Sequence, residues 1–255
     1  MTKKRKISLA VISFLLSALF LLSAFMIWKE VSDRKTDKDS FQTLVEIVEQ
    51  DTAERKEPAE EEEQKSEAED TRNLAPLFAE NSDCIGWICI PGTAVNYPVM
   101  HTPDNPQKYL RKNFYGEYSQ SGVPFLDGRC TADSDNLILF GHNMKNGTMF
   151  SDVTGYAQKD YAAEHSVIEY ETAAGPERYT VYAAVSVKKT DAWYDFIDCS
   201  DKESFEKTLS AISARARYTT EAVPQHGDRL LTLSTCYGKS KDDRLIVIAA
   251  RQSSN

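Results

Sequence analysis

A cysteine, an arginine and a histidine stand at the ends of apolar runs, where they could act together. Residues 231–236 read Leu-Thr-Leu-Ser-Thr-Cys, so Cys236 ends a predicted strand, and Arg244 opens the next apolar run. A thiol there can attack a carbonyl carbon, and a guanidinium can stabilise the charge that develops on the carbonyl oxygen. The thiolate requires a base, and the best-placed one is His142, which ends the strand-like run 136–142. These residues predict one site built on a rigid sheet.

The chain contains four histidines, so the base has rivals. His226 lies in a Pro-Gln-His-Gly turn and His165 in a polar, helix-like segment, so both are predicted to be surface residues. His101 ends a strand and is a real alternative to His142 by position. No acidic residue stands out as an orienting partner for the imidazole, so the sequence predicts no catalytic triad.

Short β-rich runs, separated by Gly, Pro, Asn and Asp, dominate the chain from residue 73 onward. Three helical or irregular stretches interrupt this pattern, and the first two lie at 105–112 and 145–163. The third opens at Ser200 with the Ser-x-x-Glu spacing of a capping box and extends to near Tyr218. Eight strands with short connections indicate a barrel or a sandwich. The predicted strands lie near 85–90, 95–101, 123–127, 136–142, 167–172, 178–188, 229–236 and 244–251.

An apolar segment precedes this region. Residues 3–6 are all basic, and residues 7–28 carry no charge, which exceeds the roughly 20 residues that a helix needs to cross a bilayer. The basic cluster is predicted to stay in the cytoplasm, which places the rest of the chain outside. A cleaved signal peptide is the competing interpretation, but Ser23-Ala24 offers only a weak cleavage site and the apolar run continues beyond it.

The net charge of −9 is unevenly distributed, with +4 in residues 1–28, −8 in residues 29–72 and −5 in the remainder. Segment 29–72 is therefore predicted to be a solvated acidic linker. Its one exception is a short amphipathic helix at 39–50, which would pack on the domain or near the membrane. A basic surface for nucleic acid is missing from this charge pattern, so we predict no nucleic-acid partner.

Five cysteines are present, and an odd number outside the membrane leaves at least one unpaired thiol. Cys89 lies in an apolar strand and is predicted to be a small core residue. Cys84 and Cys89 have the wrong spacing for a zinc knuckle, so the sequence predicts no metal and no cofactor. Disulfide pairing among the other cysteines stays open.

The run 232–236 followed by Arg244 resembles the signature of the sortases, the cysteine transpeptidases of Gram-positive cell surfaces. The run 140–143, Phe-Gly-His-Asn, is similar to the histidine motif of that family and favours His142 over His101 as the base. Runs 85–93, 96–99 and 122–127 resemble class B members. The resemblance covers residues 73–252.

Several expectations follow from the resemblance. It implies a mainly β fold, an eight-stranded barrel with a few peripheral helices, one of them between strands 6 and 7. It divides the chain into a cytoplasmic cluster and membrane anchor (1–28), an acidic linker (29–72) and a catalytic domain (73–255). Cys236 would be the nucleophile, His142 the acid and base, and Arg244 the oxyanion donor. Candidate substrate-binding residues are Ser234, Thr235 and Asn96, although strand packing explains Ser234 equally well.

The implied reaction takes place at the outer face of the cell membrane. A secreted protein with a C-terminal sorting motif would be cleaved after threonine and joined to a peptidoglycan amine. One alternative is a pilus polymerase that uses a pilin lysine. Another is a non-catalytic surface binding module that keeps the same barrel.

Overall fold

A closed sheet forms the folded unit. The computed structural model describes residues 3–54, 72–199 and 201–251. In these residues the strands are β1 Cys84–Cys89, β2 Asn96–Met100, β3 Phe125–Leu126, β4 Asn136–Phe140, β5 Val167–Thr172, β6 Gly175–Lys188, β7 Tyr218–Thr219, β8 Leu230–Cys236 and β9 Asp243–Arg251. The helices are α1 Lys3–Glu54, α2 Ala75–Glu80, α3 Lys159–Glu164 and α4 Lys202–Ser213, with 3₁₀ turns at Lys108–Arg111, Asp152–Ala157 and Ala192–Asp195.

The strand order confirms the predicted eight-stranded barrel. Neighbouring strands run β5-β1-β2-β3-β4-β8-β9-β6, and pairing of β5 with β6 closes the ring. β7 adds a two-residue ninth strand that pairs with β6. All pairings are antiparallel except β2 with β3 and β4 with β8. The parallel β4–β8 pair matters for the site, because it brings the C-terminal ends of two strands to the same end of the barrel.

Strands β8 and β9 carry much of the core. Every residue of β8 before Cys236 is buried, and so is every residue of β9 from Leu245 to Ala250. Apolar side chains explain the burial of β9 and of the leucines of β8, since a fully buried Val, Leu or Ile side chain contributes roughly 1.5–3 kcal/mol. The buried hydroxyl groups of Thr232, Ser234 and Thr235 are hydrogen-bonded. The core thus holds both strands firmly, and their ends become fixed points for side chains that face solvent.

Helix α4 lies where a helix between barrel strands 6 and 7 was predicted, between β6 and β8. Its cap is Asp201, whose carboxylate accepts a hydrogen bond from Ser204 N at 2.8 Å. Ser200, the predicted cap, lies outside the described residues. The helix ends at Ser213 instead of near Tyr218, because Tyr218 pairs with β6.

The predicted helix at 39–50 is part of the longer helix α1. The chain divides into two units, residues 1–40 and residues 41–255. Within the second unit Phe41, Leu44 and Val48 are buried, and the Phe41 ring meets the Tyr97 ring edge-on at 5.4 Å. This end of the helix therefore packs on the domain, which was one of the two predicted alternatives.

In the first unit, residues Ile12–Lys29 are long and apolar enough to cross a membrane, with a mean hydropathy of 1.9. A signal sequence would meet the same criterion. Residues 55–71 of the predicted acidic linker, which include its glutamate run, lie outside the described residues.

Candidate active site

The register of three adjacent strands brings Cys236, His142 and Arg244 together. Cys236 is paired directly with Arg244 across β8 and β9. On the other side of β8, Phe140 is paired with Ser234, and Gly141 N donates to Ser234 O at 3.2 Å. His142 follows Phe140 by two residues, as Cys236 follows Ser234, so both reach the same level at this end of the barrel. Adjacent strands lie about 4.8 Å apart, which makes the three residues neighbours.

These residues line an open cleft with a volume of about 480 Å³. Aromatic and aliphatic side chains form much of its walls, and charged residues complete the lining. The lining residues are Pro106, Gln107, Leu110, Phe125, Asp127, Gly128, Arg129, Phe140, Gly141, His142, Lys189, Tyr194, Ser234, Thr235, Cys236 and Arg244. A cleft of this size can hold a short peptide segment against the thiol.

The turn after Cys236 fixes the thiol at the edge of the sheet. Cys236 is the one exposed residue of β8. Gly238 follows with a φ of +125°, and a Cβ there would lie 2.7 Å from Asp243 Oδ2, so only glycine fits. The same carboxylate accepts a hydrogen bond from Ser240 N at 2.9 Å. This tight turn keeps Cys236 opposite Arg244.

His142 has a hydrogen bond that decides its tautomer. Its Nε2 lies 2.9 Å from the carbonyl oxygen of Leu110, which can only accept. In the neutral ring Nε2 therefore carries the proton, and Nδ1 is the basic nitrogen. Burial lowers the pKa of His142, the cations Arg111 and Arg244 lower it further, and the Leu110 carbonyl opposes both. The site thus favours a neutral imidazole near pH 7.

Backbone carbonyl groups anchor one side of the Arg244 guanidinium. Its Nη1 donates to Lys241 O at 2.8 Å and to Asp243 O at 2.9 Å. Within the described part of the chain, Nε and Nη2 have no hydrogen-bond partner. The fork is thus anchored to the backbone on one side and keeps donors for an oxygen in the cleft.

Two of the three predicted substrate-binding residues reach the cleft. Ser234 and Thr235 line it, but their hydroxyl groups are already engaged. Ser234 Oγ is 2.8 Å from Tyr194 OH, and Thr235 Oγ1 donates to Gly141 O at 2.8 Å. Asn96 is not brought to the cleft, because it lies on β2 and its Oδ1 accepts from Trp87 Nε1 at 2.5 Å.

Sequence reasoning missed two residues that support the site. Asn143 Nδ2 donates to Cys236 O at 3.0 Å and ties the segment after β4 to the end of β8. Its only signal was its place beside His142. Tyr194, in the 3₁₀ turn 192–195, stacks on Phe140 at 5.9 Å and lines the cleft. Tyr194 lies in a connection between strands, where no sequence pattern marked it as a site residue.

The rival histidines lie elsewhere. His101 lines a different cavity and has a buried Nε2 without a hydrogen-bond partner among the described residues. His165 Nδ1 is 3.0 Å from Pro91 O, and the His226 ring meets the Phe205 ring at 5.8 Å. His142 is therefore the one histidine that lines the cleft with Cys236.

Comparison with known proteins supports the same reading of the chain. The family model of the sortase domain matches residues 88–252. Sortase B of Listeria monocytogenes is 32% identical over 170 residues, which cover 66% of this chain and 67% of that protein. The chain belongs to the sortase family. Sortase B of Staphylococcus aureus is 31% identical over 179 residues, covering 67% of this chain and 70% of its own.

The fold agrees with this membership. The structure of the Staphylococcus aureus sortase B-substrate complex superposes with a TM-score of 0.75 at 24% identity, covering 88% of this chain and 99% of that one. The predicted class B resemblance is confirmed by these relatives. Sortases are cysteine transpeptidases of the Gram-positive cell wall, so this chain is a cysteine transpeptidase. The alternative of a non-catalytic binding module is thereby set aside.

Proposed function

We propose that this sortase is anchored in the cell membrane, cleaves a C-terminal sorting signal after threonine, and joins the new carboxyl end to a peptidoglycan amine. The observation that carries the proposal is the cleft itself. An exposed thiol, a half-buried neutral imidazole and a partly engaged guanidinium stand on three neighbouring strands and face one open volume.

Acylation uses all three groups. His142 Nδ1 accepts the proton of the Cys236 thiol, and the sulfur attacks the threonine carbonyl carbon. The unpaired Nε and Nη2 donors of Arg244 stabilise the oxyanion of the tetrahedral intermediate. His142 then gives its proton to the departing amine, which leaves as the C-terminal fragment. The product is a thioester between Cys236 and the threonine.

Deacylation reverses the sequence with a new amine. The amine attacks the thioester carbonyl carbon, and His142 accepts its proton. Arg244 again stabilises the oxyanion, and the Cys236 sulfur leaves and recovers a proton from His142. One amide bond has been broken and one formed, so the exchange needs no metal and no redox cofactor.

Two hydrogen bonds preserve the geometry during this cycle. Asn143 Nδ2 holds the Cys236 carbonyl at 3.0 Å, and Thr235 Oγ1 holds the Gly141 carbonyl at 2.8 Å. Both contacts join β8 to the segment that carries His142. They limit relative movement of the nucleophile and the base, on which proximity effects depend.

The amine-transfer proposal is tested with the full chain in detergent micelles. A library of threonine-containing peptides is incubated with triglycine or with a peptide that offers a lysine side chain, and products are identified by mass spectrometry. We expect cleavage after threonine and ligation to triglycine. Ligation to lysine alone would favour the pilus alternative, and absence of any cleavage would overturn the proposal.

The anchor rests on the Ile12–Lys29 stretch and on the basic residues before it. We assign residues 1–28 to the cytoplasm and membrane, 29–72 to a linker whose helical part packs on the domain from Phe41 onward, and 73–255 to the catalytic domain outside. Protease added to cells without their wall should digest the domain from outside. N-terminal sequencing of the membrane-bound protein is expected to begin near residue 1. A mature form starting near residue 25 would mean a cleaved signal peptide instead.

A further inference from the structure

A second groove adjoins the cleft on the other side of Arg244. It has a volume of about 470 Å³ and shares only Arg244 with the cleft that holds Cys236. We call it the cationic groove. It is lined by Ser186, Val187, Lys188, Asp191, Arg215, Arg217, Tyr237, Gly238, Asp243 and Arg244.

The charge of the cationic groove contrasts with that of the domain around it. Four cationic and two acidic side chains line it, while residues 73–255 carry −5 overall. Arg215 forms a bidentate pair with Asp191, at 2.5 and 3.0 Å, and Lys188 pairs with Asp243. Within each pair the positive and negative charges offset each other. The excess positive charge belongs to Arg217 and Arg244.

Arg217 is held in place without a carboxylate partner. Its Nε donates to Ser186 Oγ at 3.1 Å, and its guanidinium lies over the Tyr237 ring, 5.3 Å from the ring centre. The side chain is exposed, and its Nη1 and Nη2 have no partner in the described part of the chain. Stacking and one hydrogen bond orient the plane of the fork before any ligand arrives. Such a fork suits the oxygens of a carboxylate or a phosphate.

The location of Arg217 connects it with the reaction. Tyr237, on which it stacks, follows Cys236 directly, and Arg244 stands between the cleft and the groove. In the proposed reaction the acyl half of the sorting signal fills the cleft. The cationic groove meets this cleft at Arg244, so a group bound in it lies beside the residue that stabilises the oxyanion.

We propose that the cationic groove binds a carboxylate or phosphate group carried by the incoming amine substrate, with Arg217 as its main donor. This inference rests on the proposed transfer to an amine. It goes beyond that proposal because it assigns a charge to the acceptor and a residue that selects for it. An acceptor with its amine at the thioester and an anionic group in the groove would bind better than a neutral one.

The test compares three triglycine acceptors that differ only at the far end, which is a carboxylate, a phosphoethanolamide or a neutral carboxamide. The quantity measured is the ratio of the neutral acceptor's KM to that of each anionic acceptor. For the wild type we expect a ratio of roughly three to ten, the range of an exposed charge-assisted contact. The acceptor with the larger ratio shows whether the groove prefers a carboxylate or a phosphate group.

Substitution separates Arg217 from general effects. Arg217→Gln should bring both ratios close to one, and Arg217→Lys should retain part of the preference. Arg178→Gln, an exposed arginine on the far part of β6, is the matched control and should keep the wild-type ratios. Ratios near one in the wild type, or ratios that survive Arg217→Gln, would overturn the inference.

A binding measurement makes the outcome independent of turnover. Calorimetry of the three acceptors with the Cys236→Ala chain should show tighter binding of the anionic forms, and Arg217→Gln should remove the difference. If peptides are not cleaved at all but this difference is found, the proposed reaction fails and the anion site stands. If cleavage and transfer proceed and no difference is found, the proposed reaction stands and the anion site is wrong.

Discussion

The two ends of the barrel carry the same residue types and have opposite properties. At one end Cys236 and His142 line the open cleft. At the other, where β8 begins and β5 ends, Cys84 and His101 line a cavity of about 510 Å³. Each end also has an arginine, Arg244 or Arg229.

Exposure and partners make the difference. Cys84 is buried, which raises the pKa of its thiol to about 11, and its Sγ faces Gly86 O at 3.7 Å. Arg229 is paired with Glu177 at 3.2 Å, whereas Arg244 uses only backbone carbonyls. A cysteine near a histidine is therefore not a site by itself. The exposed strand end and the unpaired half of the guanidinium create one.

The cysteine substitutions test this comparison with the largest expected effect. Cys236→Ala should reduce cleavage by at least about 10³-fold and abolish the thioacyl intermediate, because no other group forms the covalent bond. Cys84→Ala and Cys130→Ala should retain activity, since both thiols are buried. Peptide cleavage and mass spectrometry of the trapped intermediate provide the measurement.

A thiol-reactive probe near neutral pH serves as the control for these variants. It should label Cys236 in the folded protein and leave Cys84 and Cys130 unmodified until the chain is unfolded. Substantial turnover by Cys236→Ala would remove the proposed mechanism entirely.

The arginines at the two ends give the next largest contrast. Arg244→Lys should lower kcat by about 10²–10³-fold with a smaller change in KM, because lysine keeps the charge and loses the fork. Arg244→Ala should be at least as damaging. Arg229→Lys, at the opposite end, should keep the wild-type kcat. Steady-state kinetics on a cleavable peptide measures both, and circular dichroism verifies the fold. Wild-type kcat in Arg244→Lys would show that the oxyanion role is wrong.

Much of the barrel could be predicted because its strands are local patterns. All eight predicted strands are present, but β3 shrinks from 123–127 to Phe125–Leu126, since Pro124 has no N–H for the ladder. The short strand β7 was missed, because Tyr218–Thr219 carries no periodic signal and pairs only through the fold. Helix α4 was predicted too long for the same reason.

The site was predictable where it depends on strand ends and unpredictable where it depends on distant contacts. Cys236, His142 and Arg244 follow from the register of adjacent strands. The Leu110 carbonyl that sets the His142 tautomer comes from a connection 32 residues earlier, which no local pattern reveals. Asn96 was expected to bind the substrate, but its side-chain oxygen accepts a hydrogen bond from the indole of Trp87 instead.

Asn143 offers a smaller test of the catalytic end. Asn143→Ala removes the hydrogen bond to the Cys236 carbonyl, and a neutral hydrogen bond contributes about 1 kcal/mol, or roughly fivefold in rate. We expect kcat to fall by this factor while KM and the melting temperature stay near their wild-type values, because the side chain is exposed. Asn143→Asp cannot donate and should resemble alanine. A fall in melting temperature that accounts for the lost activity would indicate a structural role only.

The smallest expected effect concerns the two histidines. Burial lowers the pKa of both His142 and His101, but Arg111 and Arg244 act on His142 alone, while Asp127 raises the pKa of His101. Arg111→Ala removes a positive charge that opposes protonation, so the pKa of His142 should rise and that of His101 should not change. Since the folded pKa of His142 lies below its unfolded value, its contribution to stability is present at higher pH and is lost as the pH falls, and Arg111→Ala should weaken this loss. NMR titration of the imidazole C–H signals measures both groups in one sample, with Arg178→Ala as the control. An unchanged or lower His142 pKa in Arg111→Ala would mean that Arg111 does not lower it, and this part of the contrast between the two histidines would be wrong.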